Sequence, residues 1–385
     1  MKHILISYDY FFPGYRAGGP IQSLVNLVNL FQKEYKVSIF TSVYDLNEQE
    51  PYLNIKINDW NKIYLLDASD AIDVYYADTK KIGFKEVKEV IQFLKPDIIY
   101  INSIYSLFFL IYPLLVIRKL SLDTEIIICP RGMLQSGALQ VKALKKKIFL
   151  NCFKISGLLN RVCWHATNEE EKGDIIKCFP VYKKISVASN IPKIPISKII
   201  NTSKKKGELK LVYLSLISEK KNLHLLLQVL NKVGRGITLD IYGPIKDENY
   251  WKVNCLPLLE RLVGRVSYKG DIQPIEVQHK LMEYDALILL TKGENFGHAL
   301  YESLSVGRPI ITSNYTPWMD LELKNAGWNV DIGNLQHVVE LINTLSNLDN
   351  DNFELYTKGA YNLAVQYYYN QNFISAYKDC FNSDD

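Results

Sequence analysis

Short continuous apolar runs alternate with longer stretches of helical period, and the alternation passes through the chain twice. In the first half, strands are expected at His3 to Ser7, Val37 to Thr41, Ile63 to Leu65, Ile98 to Ile101, Glu125 to Cys129 and Cys163 to Ala166. Helices such as Ile21 to Lys33 and Phe84 to Leu94 fall between them. The pattern restarts at Lys210 to Leu214 and continues through Thr238 to Tyr242, Arg265 to Lys269, Ala286 to Leu290, Pro309 to Thr312 and Trp328 to Ile332. Such alternation implies parallel sheets covered by helices on both faces, hence an α/β class. Residues 191–207 (IPKIPISKIINTSKKKG) join the halves with two prolines and three consecutive lysines, a linker composition whose lysines are expected in solvent. The expected division is 1–190, a linker 191–207, 208–360, and a C-terminal helix in 361–385.

One segment imitates a membrane span. Residues 98–117 (IIYINSIYSLFFLIYPLLVI) carry no charge over twenty positions, the length that crosses a bilayer. Asn102, Ser103 and Pro113 interrupt it, and a buried strand followed by a buried helix is the reading that continues the alternation.

The most informative stretch is residues 293–304, GENFGHALYESL. The apolar run ALILL precedes it, and Gly307 and Pro309 stop the helix it opens. The order is buried strand, glycine-containing loop, helix, which is where open parallel sheets bind ligands. An anion there would meet the amides of Phe296, Gly297 and His298 and the positive end of the helix dipole. Glu294 and Glu302 would repel that anion but suit hydroxyls, so the pair suggests a ligand carrying both phosphate and sugar; on these two residues alone, a solvated loop glutamate and a helix-surface glutamate is the other reading, and the rest of the chain decides between them.

Glu294, seven residues and Glu302, with Asn295, Phe296, Gly297 and His298 between, resemble the donor-site signature of the retaining glycosyltransferases of family 4, which have the GT-B fold. Five further segments resemble that family in order: PGYRAGGPIQS from Pro13, PRGMLQSGALQVKALKKK from Pro130, SLISEKKNL from Ser215, IYGPIKDENY from Ile241 and TPWMDL from Thr316. The resemblance spans nearly the whole chain. It implies two Rossmann-like, doubly wound domains facing across a cleft, donor contacts from the second and acceptor contacts mainly from the first. It also implies a last helix, near 351–381, that crosses back to the first domain.

Composition adds bounds rather than chemistry. With 385 residues the chain exceeds what one core usually supports, and 48% hydrophobic with 22% charged residues is ordinary globular composition. A net charge of +4 does not call for nucleic acid, and six cysteines without paired spacing are expected as reduced thiols. Met1-Lys2-His3 leads directly into a strand, so no secretory signal is expected and a cytoplasmic enzyme is the reading.

The resemblance assigns roles. Lys221 is implied as the phosphate-binding lysine, Glu302 as the ribose ligand and Glu294 as a ligand of the sugar hydroxyls, while Ser218 could add a hydroxyl. Breaking a sugar–phosphate bond leaves charge on a diphosphate, which needs fixed donors and cations. No carboxylate stands out as a covalent nucleophile, and the family is thought to attack on the face the diphosphate leaves, which demands placement more than a strong base. No acidic metal pair is found, Asp349-Asn350-Asp351 being read as a turn. A metal-independent transferase without a cofactor, using a UDP- or GDP-linked sugar as donor, is the expectation.

On the first half, Gly18 and Gly19 would let backbone amides approach a diphosphate or sugar, or would simply form a strand-to-helix turn. Arg131 stands where many relatives carry a histidine near the reacting sugar; it cannot act as a base and would bind an anion or a hydroxyl. Leu216 stands where relatives commonly have an arginine on the diphosphate, and Arg131 and Arg16 are the candidates to compensate. The basic run Lys142, Lys145, Lys146, Lys147, with Lys154 and Arg161 beyond, is either a solvated face or a helix resting on an anionic membrane surface. The function expected is transfer of a sugar to a glycan acceptor, lipid-linked by the family's habit, in capsule or O-antigen synthesis, peripheral on the inner face of the membrane. The alternatives are a sugar-nucleotide epimerase of the same architecture and a catalytically silent donor-binding partner.

Overall fold

The computed structural model describes residues 1–65, 70–140, 143–180, 182–197 and 204–382. Two compact units divide the chain, Met1–Ile191 with Asn372–Asp385, and Pro192–Gln371. The first holds an eight-stranded sheet of β1 (His3–Ser7), β2 (Lys36–Ser42), β3 (Trp60–Ile63), β4 (Ile72–Ala77), β5 (Ile98–Ile101), β6 (Glu125–Ile128), β7 (Val162–Ala166) and β8 (Lys184–Val187), in the order β3-β4-β2-β1-β5-β6-β7-β8. Every pairing is parallel except β3 with β4. β1 and β5 are buried at every position, which is why they read as unbroken apolar runs.

The second unit holds six parallel strands: β9 (Leu209–Leu214), β10 (Ile237–Tyr242), β11 (Val266–Gly270), β12 (Ala286–Leu289), β13 (Ile310–Ser313) and β14 (Gly327–Val330). Their order, β11-β10-β9-β12-β13-β14, puts the reversal of winding between β9 and β12. In the first sheet the reversal lies between β1 and β5. Loops at the carboxyl ends of these strand pairs therefore flank the two natural ligand crevices.

Several expectations change. The strand expected at Ile63 to Leu65 is β3, three residues earlier, and it is an antiparallel edge. β4 and β8 were not anticipated: Asp73 interrupts one, and the other is a four-residue edge strand with no fully buried position. Residues 98–117 are β5, a π-helical turn at Leu107–Ile111 and a helix, Tyr112–Leu120, and no described helix is long and apolar enough to cross a membrane. Asp349 is a helix N-cap accepting a bond from the Asn352 amide at 2.9 Å, not a turn. The expected final helix is two, Asn350–Asn370 and Phe373–Phe381, separated where Gln371 turns extended and Asn372 caps the second. Phe373–Phe381 packs in the first unit, with Tyr377 and Phe381 ring centroids 5.8 and 5.9 Å from Phe31.

The 191–207 segment corrects the solvated-lysine expectation. Lys204 is buried, and its ammonium donates to the carbonyls of Lys205 at 3.0 Å, Ser346 at 2.9 Å and Glu208. Ser346 ends the Leu335–Ser346 helix, so the ammonium satisfies an orphan carbonyl at the negative end of its dipole. Residues 198–203 lie outside the described residues.

The basic run forms the helix Ala143–Ile155. Leu144, Ile148 and Ile155 are 73%, 56% and 86% exposed on it. With exposed Cys152 they follow one face at intervals of four, four and three, flanked by exposed Lys145, Lys147 and Lys154. Lys146 turns inward, donating to the Ala138 carbonyl at 2.5 Å and lying 5.2 Å over the Tyr105 ring. Arg161 pairs with Asp123 at 3.3 Å, so neither belongs to that face. Lys142 lies outside the described residues.

Candidate functional site

In the second unit, the loops following β9 and β12 are tied to each other by backbone. The Lys292 amide donates to the Lys220 carbonyl at 2.8 Å, Thr291 Oγ1 to the same carbonyl at 3.2 Å, and buried Asn222 reaches across to the Leu290 carbonyl at 2.9 Å. Asn222 sits in the left-handed region, φ 61°, which an asparagine tolerates and which ends the short turn Glu219–Lys221. Ser218 begins that turn, its carbonyl accepting from the Lys221 amide at 3.0 Å. This bracing brings Lys221 and Glu294, far apart in sequence, into a direct ion pair whose side chains are only 18% and 10% exposed.

Beyond Glu294 the backbone runs to Gly297, φ 79°, where a Cβ would sit 2.9 Å from Leu300 Cδ1; glycine is required there. The helix His298–Ser305 begins immediately after it, without a side-chain cap. Phe296 was expected to offer its amide; its side chain turns out to be the anchor of the loop. It is buried among Trp318, Tyr301 and Tyr367 at ring distances of 5.5, 5.9 and 5.7 Å, and Trp318 Nε1 donates to its carbonyl at 2.7 Å. Trp318 belongs to the TPWMDL segment, so its role is to hold the glycine loop in place. His298 lies against the Phe296 ring at 4.7 Å, with Asn295 between Glu294 and that anchor.

Glu302, one and a half turns into the helix, is 8% exposed, and its carboxylate accepts no hydrogen bond from any described residue. Burial pushes its pKa up to about 7, opposed only by the charge of Lys193. Held this far out of water with no protein donor, the ionised carboxylate is disfavoured, and a ligand presenting hydroxyls would supply the donors.

The first unit places its residues differently. Gly18, φ 77°, caps the helix Gly19–Phe31, with Pro20 in its first turn, so the glycine pair does form the expected loop-to-helix junction. Buried Asp45 fixes the approach by accepting from the Tyr15 and Arg16 amides at 2.9 and 3.1 Å. The Arg16 side chain is ion-paired with Glu48. Arg131 is 9% exposed and braced on every side: it donates to Asn102 Oδ1 at 3.0 Å, to the Tyr100 hydroxyl at 3.1 Å and to Asn190 Oδ1. Tyr100 in turn meets His165 Nδ1 at 2.6 Å, and His165 Nε2 donates to the Ala188 carbonyl at 2.7 Å. Burial, then the Arg131 charge, drives the His165 pKa down to about 3, so this ring is neutral. In this structure Arg131 is a buried brace of the first unit.

Sequence reasoning overlooked Lys246. The backbone of its loop pairs with the β9 loop through Ile217 and Ile245, and the Lys246 amide donates to the Ile217 carbonyl at 3.1 Å. Its presence within IYGPIKDENY was visible; its convergence on Lys221 was not.

Residues 196–361 match the family model of Glycosyl transferases group 1. The second unit carries a group 1 glycosyltransferase domain. No curated protein matches the chain by sequence. Among solved structures, HepE from Anabaena in complex with UDP and glucose is 15% identical, with a TM-score of 0.69 over 99% of this chain and 98% of its own. Sucrose-phosphate synthase from Thermosynechococcus elongatus is 13% identical, with a TM-score of 0.72 over 99% of both chains. WaaG, a glycosyltransferase involved in lipopolysaccharide biosynthesis, is 13% identical, with a TM-score of 0.64 over 98% of both. These likenesses establish the fold, two Rossmann-like units of the GT-B type, and the group 1 domain is the one bearing Lys221, Glu294 and Glu302.

Proposed function

We propose that this chain is a retaining glycosyltransferase of the family 4 kind, moving a sugar from a nucleotide-diphosphate sugar to a glycan acceptor. The observation that carries the reading is Glu302, a buried carboxylate without a donor, in the helix that opens next to the Lys221–Glu294 pair. Ribose hydroxyls would supply the donors Glu302 lacks, and the sugar's hydroxyls would meet Glu294. The diphosphate would draw the Lys221 ammonium from Glu294 and lie toward the glycine-opened helix, whose dipole favours an anion. As the sugar–phosphate bond breaks, Lys221 would stabilise the growing charge, a role worth most in the transition state. Retention through attack on the departing diphosphate's own face asks for such placement rather than a strong base. HepE has been solved with UDP-glucose, which supports a nucleotide sugar as donor here, UDP- or GDP-linked. Nothing in this scheme routes a step through a metal or further cofactor.

Incubation with a panel of nucleotide sugars tests the reading. Slow release of nucleoside diphosphate with the sugar's anomeric configuration kept is expected. Conversion to an epimeric donor would support an epimerase instead, and tight binding without turnover a silent partner.

The acceptor we propose is lipid-linked, in assembly of a bacterial surface polysaccharide such as capsule or O-antigen, with the protein peripheral on an anionic membrane surface. The exposed apolar face of Ala143–Ile155, edged by Lys145, Lys147 and Lys154, supports that placement. Each lysine would contribute on the order of 1 kcal/mol at an anionic surface. Salt-sensitive binding to vesicles containing anionic lipid is expected, and equal binding to neutral vesicles would remove the idea.

A further inference from the structure

The arginine that relatives commonly set on the diphosphate is Leu216 here, and neither Arg16 nor Arg131 offers an open guanidinium to replace it. The structure supplies another cation from a different loop. Gly243, at the end of β10, packs so closely on the β9 loop that a Cβ would fall 2.0 Å from the Ser215 carbonyl oxygen and 3.5 Å from the Leu216 amide nitrogen. The chain then runs alongside that loop, bridging Ile245 to Ile217 and bonding the Lys246 and Asp247 amides to the Ile217 carbonyl at 3.1 and 3.2 Å. Lys246 is thus delivered beside the place the arginine would occupy. Its ammonium makes no hydrogen bond or ion pair among the described residues. Lys220 lies against the loop after β12, its Nζ 4.0 Å from where a Gly293 Cβ would stand.

We propose that Lys246, assisted by Lys220, replaces the missing arginine and with Lys221 forms the binding site for the diphosphate of the donor. This rests on the donor reading above. Lys221 is ion-paired with Glu294, Lys220 also feels that carboxylate, and Lys246 acts on Lys221 and Lys220; three ammonium groups beside one carboxylate leave two positive charges, the complement of a bridging diphosphate. The like charges are close enough to act on one another: after burial, the charge of Lys221 is the next cause depressing the proton affinity of both Lys220 and Lys246. A diphosphate between them would relieve that repulsion. Lysine serves as a point charge where arginine would fork onto two oxygens, so two lysines in place of one arginine is chemically reasonable.

Titration calorimetry of the full chain with UDP, GDP and ADP, and with the matching nucleosides, tests the assignment. For whichever diphosphate the wild type binds, Lys246→Ala should lower affinity about tenfold while leaving nucleoside affinity unchanged. Lys246→Arg should retain it, and Leu216→Arg added to Lys246→Ala should restore it. Lys252→Ala, an exposed lysine paired with Glu248 at 3.3 Å, carries the same change of net charge and should have no effect. Undiminished diphosphate affinity in Lys246→Ala overturns the assignment, as does an equal loss in Lys252→Ala. If the wild type binds none of the diphosphates, the donor reading itself fails.

Discussion

Replacing Glu302 by glutamine should stabilise the ligand-free protein and at the same time loosen its grip on nucleotide. The side chain is 8% exposed and its pKa stands at about 7 against an ordinary 4.5. Between those values the folded state binds more protons than the unfolded one, so stability falls as pH rises through that window and levels off above about pH 7. At about 1.4 kcal/mol per pH unit, keeping Glu302 ionised in the empty fold costs on the order of 3 kcal/mol. Most of that cost, about 2.5 kcal/mol, develops between pH 5 and pH 8. Glutamine keeps the shape and carries no such penalty. Thermal unfolding of both proteins should give similar midpoints at pH 5 and a variant more stable by roughly 5–10 °C at pH 8. Nucleotide affinity should move the other way, because the charge-assisted bonds to the ribose are each worth about 1.5–3 kcal/mol. A stability gap that does not grow with pH would refute the buried, donor-less carboxylate, and unchanged nucleotide affinity would refute its role.

Lys221→Ala should lower turnover more than donor affinity, since its charge matters most as the diphosphate departs, and an unchanged rate in a donor-hydrolysis assay would exclude it from the site. Gly297→Ala must place a side chain at φ 79° against Leu300 and should cost about 1–2 kcal/mol of stability in denaturant titration, with weaker donor binding. Arg131→Ala strips partners from buried Tyr100, Asn102 and Asn190 and should destabilise the fold by about 2–4 kcal/mol; full stability with lost activity would instead make Arg131 a substrate-binding group. In vesicle sedimentation, Leu144→Glu with Ile148→Glu should abolish binding to anionic membranes, and retained binding would acquit the Ala143–Ile155 helix.

The central strands were legible because parallel strands buried on both faces are unbroken apolar runs: β1, β5 and β12 are buried throughout. β4 and β8 were not, since one alternates around Asp73 and the other lies half-exposed at the sheet edge. Glu294, Gly297 and Glu302 were legible because loop and helix start are contiguous in sequence. Lys246 was not, because its proximity to Lys221 depends on β9 and β10 lying side by side and on Gly243 packing against Ser215. The Leu216 departure signalled that a cation was owed without saying which loop supplies it. Lys204 shows the reverse error: a lysine-rich linker suggests solvent, yet one ammonium is drawn in to cap a helix.

Where a nucleotide sugar binds is answered directly by amide hydrogen exchange with and without the tightest-binding donor. Slowed exchange in residues 215–222, 243–247 and 291–302, the loops after β9, β10 and β12 together with the first turns of the helix His298–Ser305, is the result predicted. Protection absent from all three segments, with the donor demonstrably bound, would contradict it.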